Sequence, residues 1–264
     1  MKTVAYVPLL QMLQKLLSKQ DIYEKAASKP VHVPNEYNSC RDGRWFTENG
    51  LLCSDEFTLA LSLYIDEFEV ANRLGTSKGK HKMCAVYWTI ANIPAGYRST
   101  LNSIQLALLC TATTVKECGY EKVLYPLICD LVSLEQHGVY IEHLGTSVKG
   151  TVECVAQCCG QNTLVFVLFD LYLNRDRLSI DAQLQEVRAG AFQLRDRDTH
   201  NRQVQETLHD PTSGKNTGVK RLCPLTANLQ FFHVIGGYPP DPDILEGIVP
   251  MELCLCIADL VAKK

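Results

Sequence analysis

The sequence predicts an α/β protein built on a mixed sheet, and three observations carry that prediction. Between Thr58 and Ile65 apolar residues alternate with period two, and a second such run follows at Cys84–Ile90. A third apolar run spans 103–110, so three strands arrive in succession. Next comes a helical stripe of Val123, Leu124, Leu127, Ile128, Leu131 and Leu134, and then two more strand-like runs at 139–141 and 150–156. Adjacent strands, a covering helix and further strands describe a sheet with an antiparallel start and a helix laid across it.

In chain order, residues 4–27 read as amphipathic helix: Val4, Val7, Leu9, Leu10, Leu13, Leu16 and Leu17 recur at helical spacing opposite Lys15, Lys19 and Gln20. Asp21 is placed to cap a second short helix through Ala27. Pro30 and Pro34 mark an extended linker, and Asp42-Gly43 a turn. The Gly75–Lys82 stretch joins the first two strands as a hairpin, and Pro94–Tyr97 turns the chain again. Thr113 or Thr114 caps a helix running from Val115 to about Gln136, which Gly138 ends. Region 157–183 has a dense apolar run, 164–169, but no clean period. From Gln183 to Lys220 the chain is polar and of mixed charge, and 248–262 reads as a short apolar helix.

Composition bounds the function. The 264 residues are 46% hydrophobic and 21% charged, enough apolar material for a core. A net charge of −3 argues against a protein whose main task is to coat nucleic acid, although a local basic patch is compatible with it. The start of the chain does not read as a secretory signal, and no run approaches the ~18 apolar residues of a membrane span. The twelve cysteines sit mostly inside apolar runs and read as buried reduced thiols of an intracellular protein.

The chemistry-bearing stretch is Tyr64–Val70, where Asp66, Glu67 and Glu69 arrive at the end of an apolar strand. Strand geometry puts Glu67 and Glu69 on one face and Asp66 on the other with Tyr64. A two-metal phosphoryl-transfer site takes carboxylates from separate elements, so that two cations sit about 3.5–4 Å apart. Asp66 can supply one such ligand, but on residue chemistry alone the cluster reads first as a solvated hairpin end. The Gly75-Thr-Ser-Lys-Gly-Lys-His81 run is not a phosphate loop, since its glycines are one residue too close, no Ser or Thr follows Lys80, and it leads to a strand. It reads as a basic hairpin turn whose Arg73, Lys78, Lys80 and Lys82 can follow a nucleic-acid backbone. Cys154, Cys158, Cys159 and His143 lack the paired spacing of a zinc site, as do Cys254 and Cys256, so no zinc is expected. Neither a nucleophile elbow nor a local histidine triad is present.

Several long blocks keep their order in a known family. They include Asp-Glu-Phe-Glu-Val-Ala-Asn at 66–72, Gly-Thr-Ser-Lys-Gly-Lys-His-Lys at 75–82, Ile-Pro-Ala-Gly-Tyr-Arg-Ser at 93–99 and Ser-Ile-Gln-Leu-Ala-Leu-Leu-Cys at 103–110. Further blocks are Gly-Tyr-Glu-Lys-Val-Leu-Tyr-Pro-Leu-Ile at 119–128, Gly-Thr-Ser-Val-Lys-Gly-Thr-Val at 145–152, Val-Gln-Glu-Thr-Leu-His-Asp-Pro at 204–211 and Leu-Glu-Gly-Ile-Val-Pro at 245–250. Together they resemble the transposase-like open reading frames of CACTA/EnSpm-type DNA transposons in animal genomes. The resemblance implies an RNase H-like fold, a DDE-type DNA strand-transfer site served by Mg2+ or Mn2+, and a nuclear location. It also implies DNA and other transposase-like subunits as partners, with neither a membrane nor a small-molecule substrate. On this resemblance Asp66 is the first catalytic aspartate.

The departures are as specific as the matches. In the family the strand at 150–157 runs into an Asp-Asn-…-His motif bearing the second catalytic aspartate, and a Cys-x-x-Cys follows. Here Cys158-Cys159-Gly160-Gln161-Asn162-Thr163 stands instead, and the resemblance resumes only near Gln185. A local reading-frame shift produces such a segment. A histidine is also missing near 238–244, where the family has a longer Asp-Val-Leu-His-Asp stretch. The resulting expectation is an incomplete RNase H-like sheet at 56–157, preceded by a helical and linker segment at 1–55. A divergent segment follows at 158–183, and then an irregular polar remnant with a short helix at 184–264. Asp66 is then a vestigial ligand, no cofactor is held, and the product is catalytically dead. Two rival expectations are an active strand transferase in which Asp170, Asp176 or Asp181 replaces the lost ligand, and an interaction protein that docks through the 4–27 helix.

Overall fold

A computed structural model describes residues 2–28, 40–54, 56–69, 82–94, 97, 103–156, 195–219 and 221–237. The protein is mixed α/β. Its main sheet has five strands: β1 (Ala5–Tyr6), β2 (Leu59–Glu69), β3 (Lys82–Ile90), β4 (Gln105–Thr111) and, in sheet position beside β2, the strand Gly150–Ala156. The spatial order runs β1, β4, β3, β2 and then Gly150–Ala156. β2, β3 and β4 form an antiparallel meander, whereas Gly150–Ala156 lies parallel to β2 in a register from Leu59↔Gly150 to Ile65↔Ala156. A parallel neighbour needs a crossover connection. Here it is made by helices α4 (Ala112–Cys118) and α5 (Tyr120–Gln136) and a small antiparallel hairpin, β5 (Val139–Ile141) with β6 (Thr146–Val148). The strand Gly150–Ala156 is therefore β7.

The period-two pattern of β2 sorts its side chains as a pleated strand must. Leu59, Leu61, Leu63 and Ile65 are buried in the main core with Val152, while Tyr64 and Asp66 lie on the opposite face and are exposed. All six stripe residues of α5 are buried, and the helix packs against β4 and β7. The sequence reading of one helix from Val115 is corrected: two helices meet at Gly119, whose φ of 81° breaks the turn. The cap also shifts, from Thr113 or Thr114 to Thr111, whose hydroxyl accepts the Thr114 amide at 3.2 Å. Gly138 follows the end of α5 with a φ of 77°, and a Cβ there would lie 2.7 Å from the Val148 carbonyl oxygen.

At the N-terminus the single amphipathic helix from Val4 is likewise corrected. Pro8 separates β1 from α1 (Leu9–Leu17), because residues 5 and 6 pair with Leu109 and Leu108 on the sheet edge. α2 (Gln20–Ala27) starts one residue before Asp21, which sits in its first turn and caps nothing. Leu9, Leu13 and Leu17 are fully buried in the main core. These three leucines of α1 are therefore occupied within the protein.

Asp130 on α5 ties this segment down. Its carboxylate accepts from the Tyr6 hydroxyl at 2.6 Å and from the Leu9 amide at 2.8 Å, the first orphan donor of α1. A short helix, α3 (Arg44–Thr47), carries Trp45 and Phe46 onto a second small cluster with Leu52, Ala60 and Ala91.

The polar region after Gln183 holds structure that periodicity did not reveal. α6 (Arg197–His209) is capped by Asp196, which accepts the Thr199 amide at 2.7 Å, and only His200, Val204 and Thr207 of its length are buried. α7 (Gly214–Thr217) and α8 (Pro224–Asn228) follow. Leu225, Phe232 and Val234 join the main core, and α8 packs on α5. The sequence expectations for the linker at 29–35, the hairpin turn, segment 158–183 and the helix at 248–262 fall outside the described residues. No helix among the described residues is long and apolar enough to cross a membrane.

Candidate functional site

Asp66 stands near the end of β2, opposite Ala85 of β3, with its side chain exposed. Glu67 keeps the parity of Leu61, Leu63 and Ile65 but is itself exposed, so the core face of β2 has run out before the acids begin. Glu69 closes the strand opposite Lys82. Lys82 is the first residue of β3, exposed at the hairpin end, and is not part of the turn as the sequence suggested. Arg73, Lys78 and Lys80 lie outside the described residues.

One acid that sequence reasoning passed over shares the Asp66 face. Glu153 of β7 pairs with Ser62, whose hydroxyl donates a hydrogen bond to its carboxylate, and it is buried. Parity within β7 puts it on the face opposite the buried Val152, and the parallel register with β2 then sets it beside Ser62 on the Tyr64 and Asp66 face. It lies level with Ser62, four strand positions before Asp66, on the order of 13 Å away at about 3.3 Å per residue. Carboxylates that clamp two cations about 3.5–4 Å apart must converge much more closely. Glu153 is thus committed to Ser62 and too far back to share an ion with Asp66. Among the described residues no group of three His, Cys, Asp or Glu side chains is arranged to hold a metal ion. Asp170, Asp176 and Asp181 lie outside the described residues.

Other titratable groups are bound into the structure. Glu135 of α5 is buried and accepts from the Thr151 hydroxyl at 2.6 Å, the Gln230 amide at 2.8 Å and the Phe231 amide at 3.3 Å. Burial pushes its carboxyl above the usual range, and these three donors pull it part of the way back. His200 of α6 is buried and meets His233 edge to face, with ring centroids 5.6 Å apart. Burial first, then His233 and Arg195, hold the His200 imidazole down to about 4. Burial and Arg197 lower His233 as well. The His233 Nε2 meets the Asn201 side-chain oxygen at 3.1 Å. His143 packs edge-on against Tyr23 of α2, with ring centroids 5.1 Å apart.

The thiols divide. Cys53, Cys84, Cys110, Cys118 and Cys129 are in the thiol form, outside any disulfide, as the composition suggested. Cys223, buried in the main core, is disulfide-bonded, which corrects the reading of uniformly reduced cysteines.

A groove of about 490 Å3 opens beside α3 and the start of β2, lined by Arg41, Asp42, Phe46, Cys53, Phe57 and Asn92 among others. It lies at the opposite end of β2 from Asp66, because Asn92 holds the strand's beginning: it accepts the Ala60 amide at 2.7 Å and donates to the Thr58 carbonyl at 2.9 Å. The exposed acid and this groove are therefore separate features.

No protein-family model matches the chain, and neither a curated protein nor a solved structure matches it.

Proposed function

We propose that this chain is a remnant of a DNA-transposon transposase, with an incomplete RNase H-like core and no strand-transfer activity. One observation carries the reading: the connectivity of the sheet. Three antiparallel strands in succession, a helical crossover and a fourth strand parallel to the first are the connectivity expected of an RNase H-like sheet, and they occur here as β2, β3, β4 and β7. The sequence resemblance to CACTA/EnSpm-type proteins supports the same assignment and gives Asp66 its ancestry. The exposed position of Asp66 near the end of β2 suits a former metal ligand.

Catalysis fails on this reading because one aspartate cannot hold two cations. The strand that should deliver a second carboxylate beside Asp66 runs in sequence into Cys158-Cys159 instead of an aspartate. What is left is binding: the basic hairpin residues Arg73, Lys78, Lys80 and Lys82 contact DNA phosphates, and the location is nuclear. Binding of that kind weakens steeply with salt and is indifferent to base sequence.

Two measurements test the proposal. The purified chain is incubated with transposon-end DNA and Mg2+ or Mn2+, and nicking or strand transfer is scored. Separately, the genomic DNA under 158–183 is translated in its other two frames. Recovery there of Asp-Asn-…-His and Cys-x-x-Cys supports decay by frame shift. Activity that disappears in Asp66→Ala overturns the inactive reading.

A further inference from the structure

Cys84 and Cys110 stand directly opposite each other on β3 and β4. Neither is in a disulfide, and both point into the main core with 1% and 2% of their surface exposed. Directly opposed residues in an antiparallel pair hold their Cβ atoms about 4.5–5.5 Å apart, and a disulfide needs about 3.5–4.5 Å, so closure takes a movement on the order of 1 Å. The flanking pairs Met83↔Thr111 and Ala85↔Leu109 keep the two strands in register on either side.

We propose that Cys84 and Cys110 are a redox pair that closes to a cross-strand disulfide under a small two-electron oxidant of the peroxide class. One sulfur, as thiolate, attacks the O–O bond; that bond breaks, hydroxide leaves and takes up the released thiol proton as water. The second sulfur then attacks the resulting sulfenic acid and displaces the other oxygen as a second water. The S–S bond forms, the sulfur pair loses two electrons, and the peroxide gains them.

The position of the pair explains how a buried thiol meets an oxidant. Cys84 is the third residue of β3 and Cys110 the last but one of β4, so both lie at the end of the meander where strands open most readily. Burial pushes the Cys110 thiol up, and the hydrogen bond from Cys84 partly offsets this, so oxidation is slow in the closed fold and follows local opening. Cys118, half-buried at the end of α4, is the rival partner for Cys110.

The test uses the full chain. It is treated with hydrogen peroxide, alkylated after unfolding and mapped by mass under non-reducing conditions. The expected product is a linked peptide pair containing Cys84 and Cys110, lighter by two hydrogens and separated by dithiothreitol. A rise of several degrees in Tm should accompany it and should be absent in Cys84→Ala. Recovery of both residues as alkylated thiols, after Cys53 and Cys129 have been consumed, overturns the proposal. So does linkage of Cys110 to Cys118. Because the wild-type map decides the outcome, a variant that folds poorly does not spoil the test.

Discussion

Ile65 pairs with Ala156 in the last described rung between β2 and β7, and Asp66 is the next residue along β2. The parallel ladder thus carries the fourth strand right up to the level of the acid. On the proposed reading the second carboxylate is expected after Ala156, where the sequence has Gln157, Cys158 and Cys159. The inactive reading rests on that adjacency.

Asp66 should be dispensable for folding. Its side chain is exposed, so Asp66→Ala should change stability by no more than about 0.5 kcal/mol. Urea unfolding of the two proteins side by side measures this. A loss of several kcal/mol would mean that Asp66 holds structure.

Glu135 should behave in the opposite way. Its carboxylate joins α5 to β7 and to the segment that carries Phe232 and Val234 into the core. Glu135→Ala strands the Gln230 and Phe231 amides and the Thr151 hydroxyl, and should cost about 2–4 kcal/mol. Its folded pKa lies above the unfolded one, so its contribution is fully present below about pH 4.5 and declines as pH rises through the folded value. The gap between wild type and Glu135→Ala in urea midpoint should therefore narrow from acid to neutral pH.

His200 gives the reverse dependence. Its folded pKa of about 4 lies below the ordinary 6.5, so the folded state resists protonation. The stability it protects is complete above pH 6.5 and is lost as pH falls from there toward 4. Between pH 7 and pH 5 the loss should be on the order of 1–2 kcal/mol, shared with His233. Replacing the imidazole by an apolar ring in His200→Phe should flatten that slope in urea titrations at the two pH values. An unchanged slope would exclude His200 as its source.

Asp130 should matter for the N-terminal elements. It accepts from both the Tyr6 hydroxyl and the Leu9 amide, so Asp130→Ala leaves an edge strand and a helix start without their shared acceptor. A loss of about 1–3 kcal/mol is expected, with amide exchange accelerated first in β1 and α1. Exchange that rises evenly across the sheet would contradict this local role.

Much of the sheet was legible because period two survives wherever one strand face is buried. Leu59, Leu61, Leu63 and Ile65 announce β2, and the six apolar residues of α5 announce that helix. The errors fall where local pattern and tertiary pairing disagree. Val4 and Val7 continue the helical stripe of α1, yet residues 5 and 6 are captured by the edge of β4 and Pro8 separates them from the helix. α6 was missed because only His200, Val204 and Thr207 of its length are buried, too few to show a period. The Cys84–Cys110 pairing was invisible for a different reason: register between strands is set by the fold and is not written in the spacing of two residues 26 apart. At the candidate site, parity placed Asp66 on the Tyr64 face, but the burial of Glu153 behind Ser62 depends on the parallel register.

The most direct test is the divalent-metal assay on transposon-end DNA with the wild-type chain and Asp66→Ala in parallel. Loss of the catalytic site predicts no nicking or strand transfer from either protein with Mg2+ or Mn2+, at any protein concentration that binds the DNA. Cleavage by the wild type that Asp66→Ala abolishes would contradict it.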